Sequence, residues 1–373
     1  MPIMQTEYSL EGFSPSESEA GLSTLLSRML LGGLSGDDVA PSLEALREER
    51  FLDEQDEWHT RLSQLGRKYE GWARTLAELG DLPTQRNLLL RAAASHHFAQ
   101  LPFFDNPEAK FMTRRHVSRL FQYVSGILPY DVLALSIPSE DCHLPAYLLS
   151  AGPGVRHPCV ILVNDLGSAK EVELYALALQ FLEQGLSVLL FDGPGQGELA
   201  GLHAMPVSFE HVIGRVLAWV GQHPQVEPTR LGICGLGHGG YQAARAAALH
   251  PRELRACISI GGGYDHDHSP YLPELVRKEF QYAYALSQRG GAMDRLAQGE
   301  LNLRGIPRLS APLLAIHDPR DTATPLTSCT RLLAWARGAR EFISSPLEDL
   351  AHTGMGRWMA EALAGTSVFS KMT

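Results

Sequence analysis

"RLGICGLGHGGYQAARAAALHP", Arg230 to Pro251, is the stretch whose reading decides the fold. A short apolar run, Leu231 to Cys234, breaks into Gly-Leu-Gly-His-Gly and re-enters an alanine-rich helical segment. That is the strand, sharp turn and helix on which a G-x-S-x-G motif presents its serine. Gly237 stands where the serine would be. Glycine tolerates the strained backbone of such a turn, so the fold survives the replacement while the chemistry does not.

Working outward, short apolar runs recur on both sides of the turn. They lie at Val132–Ile137, Leu144–Leu149, Cys159–Val163, Leu186–Phe191, Leu231–Cys234, Ala256–Ile260, Pro312–His317 and Glu341–Ile343. From the third onward they alternate with helical stretches, which is the grammar of an α/β fold with a mostly parallel, eight-stranded sheet. Before residue 130 the period changes to that of helices. Trp58, Leu62, Leu65, Tyr69, Trp72, Leu76 and Leu79 recur at steps of three and four, giving one apolar face of a long helix. Pro83 opens a second helix through Leu90 and Phe98, and Asn106-Pro107 caps and starts a third. The chain therefore divides into a helical cap, residues 1–129, and an α/β core, residues 130–373, with an insertion at about 266–308 expected to add to the cap. Residues 1 to about 50 are less regular, and their extreme end is expected to be disordered.

The charge balance narrows the partners. Net charge is −10 across 373 residues, with basic side chains scattered, which argues against nucleic acid or an anionic membrane and for a small-molecule substrate. The N-terminus has no basic segment followed by an apolar one, and no apolar run approaches the length of a membrane span, so the expectation is a cytoplasmic protein. Five widely spaced cysteines without a C-x-x-C pair read as reduced packing residues. An exposed helical cap would suit a homodimer.

Ligands in parallel sheets bind beyond the carboxyl ends of the strands, so those loops carry the candidate chemistry. Asp192-Gly-Pro-Gly-Gln-Gly-Glu198 follows the fourth run. Its glycine spacing, its internal proline and the missing acid about 20 residues later exclude a dinucleotide site, and no cofactor is expected. Asp321 follows the seventh run and a proline-opened helix follows it; His352 follows the eighth. Elbow, acid and histidine thus occur in the order of a Ser…Asp…His triad. Tyr264-Asp-His-Asp-His268 looks like a metal cluster, but consecutive side chains splay to alternate sides. No metal is expected there, although Asp265 or Asp267 is a candidate pocket residue.

These segments resemble the α/β-hydrolase branch that includes 2,6-dihydropseudooxynicotine hydrolase and the fungal polyketide-shortening hydrolase of melanin biosynthesis. The resemblance spans about residues 55 to 360. It rests on the LRAAASHHFAQ helix (Leu90–Gln100), LGSAKE (Leu166–Glu171), DGPGQGE, GLGHGG in place of G-x-S-x-G-G, and the positions of Asp321 and His352. It implies an α/β-hydrolase fold with a helical cap, Asp321 orienting His352, and His352 as general base and then acid. It also implies an oxyanion hole formed by the N–H of His238 and one from the Asp165–Leu166 turn, with the His238 ring facing away. Two departures stand out: Gly237 lacks the nucleophile, and Asn164-Asp165 replaces a glycine-rich turn. An ionised Asp165 pointing inward would oppose an oxyanion, so its side chain is expected to point outward, leaving the vacated serine volume to water or substrate.

An acyl-enzyme mechanism is excluded. The favoured expectation is an Asp321–His352 dyad acting as base on a ketone, β-dicarbonyl or polyketide-like molecule, by C–C hydrolysis, cyclisation, elimination or epimerisation. The alternatives are an inactive small-molecule binder and a serine hydrolase carrying an engineered Ser-to-Gly change.

Overall fold

The computed structural model describes residues 25–42, 53–268, 272–286 and 292–365. The expected disorder at the extreme N-terminus falls outside the described residues. All eight apolar runs are strands: β1 Val132–Pro138, β2 His143–Leu149, β3 His157–Val163, β4 Ser187–Phe191, β5 Val226–Leu236, β6 Leu254–Ile260, β7 Leu313–His317 and β8 Arg340–Ser344. They form one sheet in the order β1-β2-β4-β3-β5-β6-β7-β8. β2 is antiparallel to both β1 and β4, and every other pairing is parallel. β3 and β4 are buried almost throughout, and so are the carboxyl-terminal halves of β5 and β6, because helices cover both faces there. The edge strand β8, Arg-Glu-Phe-Ile-Ser, alternates half-buried and exposed residues, as a strand covered on one side should.

The helical period before residue 130 gives α1 Gln55–Glu78, α2 Leu82–Ala99 and α3 Pro107–Ser125. Asp81 and Asn106 cap α2 and α3 through their side chains, each followed by a proline in the first turn. α2 has little amphipathic character because it is sandwiched: Ala92 to Ala99 are all buried. Trp58 and Leu62 of α1 share an apolar cluster with Phe98, Val172 and Leu275, so these helices pack onto the strand-following loops. The core helices are α4 Tyr175–Leu182, α5 Glu210–Val220, α6 His238–Leu249, α7 Glu274–Ala283, α8 Ala292–Gly299, α9 Leu326–Trp335 and α10 Met355–Ala364. α7 and α8 lie within residues 266–308, where an insertion is expected. Leu275 on α7 joins the cap cluster, so α7 closes over the same end of the sheet.

Two sequence motifs meet between cap and core. The LGSAKE segment enters a π-helical turn at Lys170–Leu174, and Lys170 turns its ammonium into the DGPGQGE loop. There it meets Asp192 at 2.9 Å and Glu171 and Glu198 at 2.5 Å each. Ser118 on α3 donates to Glu171 at 3.0 Å, and Arg114 donates to the carbonyl of Gly197 at 2.6 Å. The glycine-rich loop is thus a turn wrapped around one buried cation and tied to the cap.

Candidate active site

The turn between β5 and α6 has the backbone of a nucleophile elbow. Gly237 sits at φ 54°, ψ −122°, which side-chain-bearing residues adopt only under strain. Its N–H donates to the Ile260 carbonyl at 2.7 Å, and a Cβ on Gly239 would lie 2.4 Å from the Asn164 carbonyl oxygen, so close packing against the β3 loop holds the turn. The position is built for a nucleophile and carries none.

Asp165 fills the space instead. Its Oδ1 accepts the N–H of Leu166 at 2.8 Å and that of His238 at 2.7 Å. One donor follows the elbow and the other lies in the loop after β3, the pair that forms an oxyanion hole in this architecture. The carboxylate therefore occupies the hole. A Cβ on Gly237 would stand 2.2 to 2.3 Å from Asp165 Cγ, Oδ1 and Oδ2, so it also takes the volume of the serine side chain. The expected outward orientation of Asp165 is overturned, and so is the expectation of a space left to water or substrate. The physical reason is that two converging N–H donors are a better partner for a carboxylate than the apolar wall beside them.

Around this point lies a small cavity, partly open to solvent. Its walls include Leu236, Ile260, Leu272, Phe280 and Leu347, and its polar groups include Arg28, Asp165, His238, His266, Glu279 and Asp321. Asp321 Oδ1 accepts the N–H groups of Ala323 and Thr324 at 2.8 and 3.1 Å, a turn that leaves Oδ2 toward Gly261, beside the elbow. Burial pushes Asp321 up to about 7, against those two hydrogen bonds and aided by the neighbouring charge of Asp165. Burial raises Asp165 as well, partly offset by Arg28 and by its two backbone donors.

The pairing of Asp321 with His352 is not present. His352 ends a 3-10 turn, Leu347–His352, and is exposed. Among the described residues no hydrogen bond or ion pair joins it to Asp321, and it does not line the cavity. The loop is held elsewhere: Leu347 N–H donates to Asp318 at 3.1 Å, and Arg320 bridges Asp318 and Glu348 at 2.8 Å each. That clamp turns Leu347 inward and His352 outward.

Other expectations also change. The His238 ring does not face away; it is buried in the cavity wall, with Nδ1 3.0 Å from His266 Nε2 and Nε2 2.8 Å from the Tyr284 hydroxyl. Burial brings His238 down to about 3, so the ring is neutral. Asp265 is buried against Arg331 at 2.6 Å, and Asp267 pairs with Arg304 at 2.7 Å. Neither lines the cavity; His266, between them, does. Side chains splay to alternate sides there, and the inward residue is the histidine.

Sequence reasoning missed Arg28 and Glu279. Arg28 donates to Glu279 at 3.2 Å and to Glu173 at 3.1 Å, and His97 also contacts Glu173 at 3.2 Å. Burial lifts Glu279 to about 7 despite Arg28, whereas His97 and Arg28 hold Glu173 down to about 2 against its burial. The one available signal was His97 within the LRAAASHHFAQ helix; Arg28 and Glu279 lie in segments without a motif.

With this geometry in place, comparison with known proteins is informative. The profile of the family described as FrsA-like esterases matches residues 67–271, more than half of the chain. The chain belongs to the FrsA-like esterase family. It is 26% identical over 302 residues to 2,6-dihydropseudooxynicotine hydrolase of Paenarthrobacter nicotinovorans, covering 79% of this chain and 77% of that protein. It is 31% identical to hydrolase pyiE of Pyricularia grisea and to hydrolyase poxO of Penicillium oxalicum, spanning 55% and 53% of their lengths. The chain thus covers about half of these fungal relatives. The crystal structure of 2,6-dihydroxy-pseudo-oxynicotine hydrolase superposes with a TM-score of 0.77 at 24% identity, over 91% of this chain and 97% of that one. AbyA5 gives 0.66 at 18% identity, over 83% and 85%. This member of the family has the α/β-hydrolase fold, and no helix among its described residues is long and apolar enough to cross a membrane.

Proposed function

We propose that this FrsA-like protein is a cofactor-independent acid–base enzyme acting on a carbonyl-bearing small molecule, with a pair of carboxyl groups, Asp165 and Asp321, replacing the serine-centred machinery. The observation that carries the proposal is the carboxylate of Asp165 bound by both N–H groups of the oxyanion hole. A serine hydrolase needs an alcohol, a base beside it and an empty hole. Here Gly237 offers no alcohol, His352 is on the surface and the hole is filled.

What remains is suited to proton transfer. Two carboxyl groups at one cavity do not both ionise readily: the charge of Asp165 adds to the burial that disfavours ionised Asp321. Both carboxylates accept two backbone N–H bonds, but the nearby Arg28 charge favours ionised Asp165, so the proton resides on Asp321. A carboxyl near 7 exchanges protons efficiently at neutral pH. Asp321, deprotonated, would take a proton from carbon beside a carbonyl or from water; protonated, it would return one to a leaving group or enol. Elimination, cyclisation, epimerisation and hydrolysis without an acyl intermediate are all open to such a pair, and the similarity to 2,6-dihydropseudooxynicotine hydrolase supports a small-molecule substrate. An engineered Ser-to-Gly change fits poorly, because a serine Cβ could not coexist with Asp165 where it lies.

The test is hydrogen–deuterium exchange. In deuterated buffer the protein should accelerate exchange at the carbon acid position of at least one member of a panel of β-dicarbonyl compounds, and Asp321→Asn should stop it. A panel that binds the cavity without exchange or turnover would establish the binder reading instead.

A further inference from the structure

We propose that the helical cap carries a divalent metal site made of Glu70, His96 and His116. Each residue comes from a different helix, α1, α2 and α3 respectively. Both imidazoles direct Nε2 at the same oxygen, Glu70 Oε1, at 2.8 Å from His96 and 3.0 Å from His116. All three ligand atoms lie within 4.8 Å of one another.

The donor set and spacing suit a borderline transition metal. Two imidazoles and one carboxylate are ligands of zinc, cobalt and nickel, with metal–ligand distances of about 2.0 to 2.2 Å. Ligand atoms around such an ion stand roughly 2.9 Å apart in an octahedron and about 3.3 Å apart in a tetrahedron at those bond lengths. Two of the three edges already fall near these values, so binding needs the His96 and His116 nitrogens to settle around the ion without movement of the helices. Without metal, each imidazole gives its Nε2–H to the shared oxygen; with metal, each ring carries its proton on Nδ1 instead and presents the Nε2 lone pair to the ion.

The cluster is held from behind and open in front. His96 is buried, and its ring lies over α1 where residue 66 is glycine: a Cβ there would come within 2.5 Å of His96 Nε2. The side chains of His116 and Glu70 are 40% and 23% exposed, which gives an ion a route in and leaves room for water as a further ligand. None of the three lines the central cavity. The ion would staple the cap helices together, independently of the chemistry at Gly237.

Co²⁺ titration of the untagged full chain, after removal of metals by chelator, tests this. The expected result is one equivalent bound with visible d–d absorption, and a Tm raised by Co²⁺ or Zn²⁺. His116→Ala, at a half-exposed position, should keep the fold and weaken Co²⁺ binding at least about 100-fold, since even outer-sphere partners account for 10- to 100-fold. Glu70→Gln should do the same. Failure of the wild-type chain to bind Co²⁺, or binding left intact in both variants, overturns the site.

Discussion

Two groups of carboxylates sit beyond the ends of the central strands, and they are resolved in opposite ways. Around Lys170, the carboxylates of Asp192, Glu171 and Glu198 converge on one buried ammonium, each within 2.9 Å. Around Gly237, Asp165 and Asp321 meet only backbone N–H groups and a cavity. The first cluster gathers three carboxylates on one buried ammonium, with only Glu198 partly exposed; the second is held by backbone N–H groups and faces a cavity. Burial lifts Glu171 as well as Asp321 to about 7, so what separates the clusters is access: the first is tied to a buried cation, whereas the second lines a cavity where a bound molecule could exchange a proton with it.

The largest expected effect would come from breaking the cluster around Lys170. Lys170→Met leaves three acidic groups in a buried pocket without their cation and should cost about 3 to 5 kcal/mol of stability, the usual result of removing one partner of a buried ion pair. Thermal unfolding followed by circular dichroism would show it. An unchanged Tm would mean that the cluster at Gly237 does not differ from it in kind.

Beside the elbow, Asp321→Asn should lower turnover by about 10² to 10⁴, the contribution of a positioned acid–base group. Stability should move the other way. The folded pKa of Asp321, about 7, lies above its ordinary value, so the native state holds the proton more tightly and wild-type stability falls as pH rises from about 4 to 7. The asparagine variant escapes that loss. Its Tm advantage should be greatest above pH 7 and shrink toward pH 4; an advantage independent of pH would sink the assignment.

A more moderate effect belongs to Gly237 itself. Gly237→Ser alone should destabilise the protein by about 1 to 3 kcal/mol through backbone strain, with the contact to Asp165 adding to it, and should remain unlabelled by a fluorophosphonate probe. Combining it with Asp165→Gly should relieve the contact. Labelling of the single variant would show that Asp165 leaves the oxyanion hole readily.

The smallest effect is expected at His352. His352→Ala should change stability by no more than about 0.5 kcal/mol, as exposed substitutions do, and should leave carbon-acid exchange intact. Loss of exchange in this variant would restore the histidine to the site and break the contrast drawn above.

Much was readable from the chain alone, because the signals are local. Apolar runs of strand length located all eight strands of the sheet, the period of Trp58 to Leu79 located α1, and the caps at Asn106 and Pro107 located the start of α3. Each depends on residues within a turn or two of one another. The glycine at the elbow announced the missing nucleophile for the same reason. Tertiary structure decided what replaced it. The orientation of Asp165 depends on N–H groups from two loops 73 residues apart in sequence, and that of His352 on the Asp318–Arg320–Glu348 clamp. Arg28 and Glu279, 251 residues apart, meet in the cavity wall. Sequence spacing carries no information about such encounters, since a side chain turns toward whichever partner the packed backbone brings within hydrogen-bonding distance.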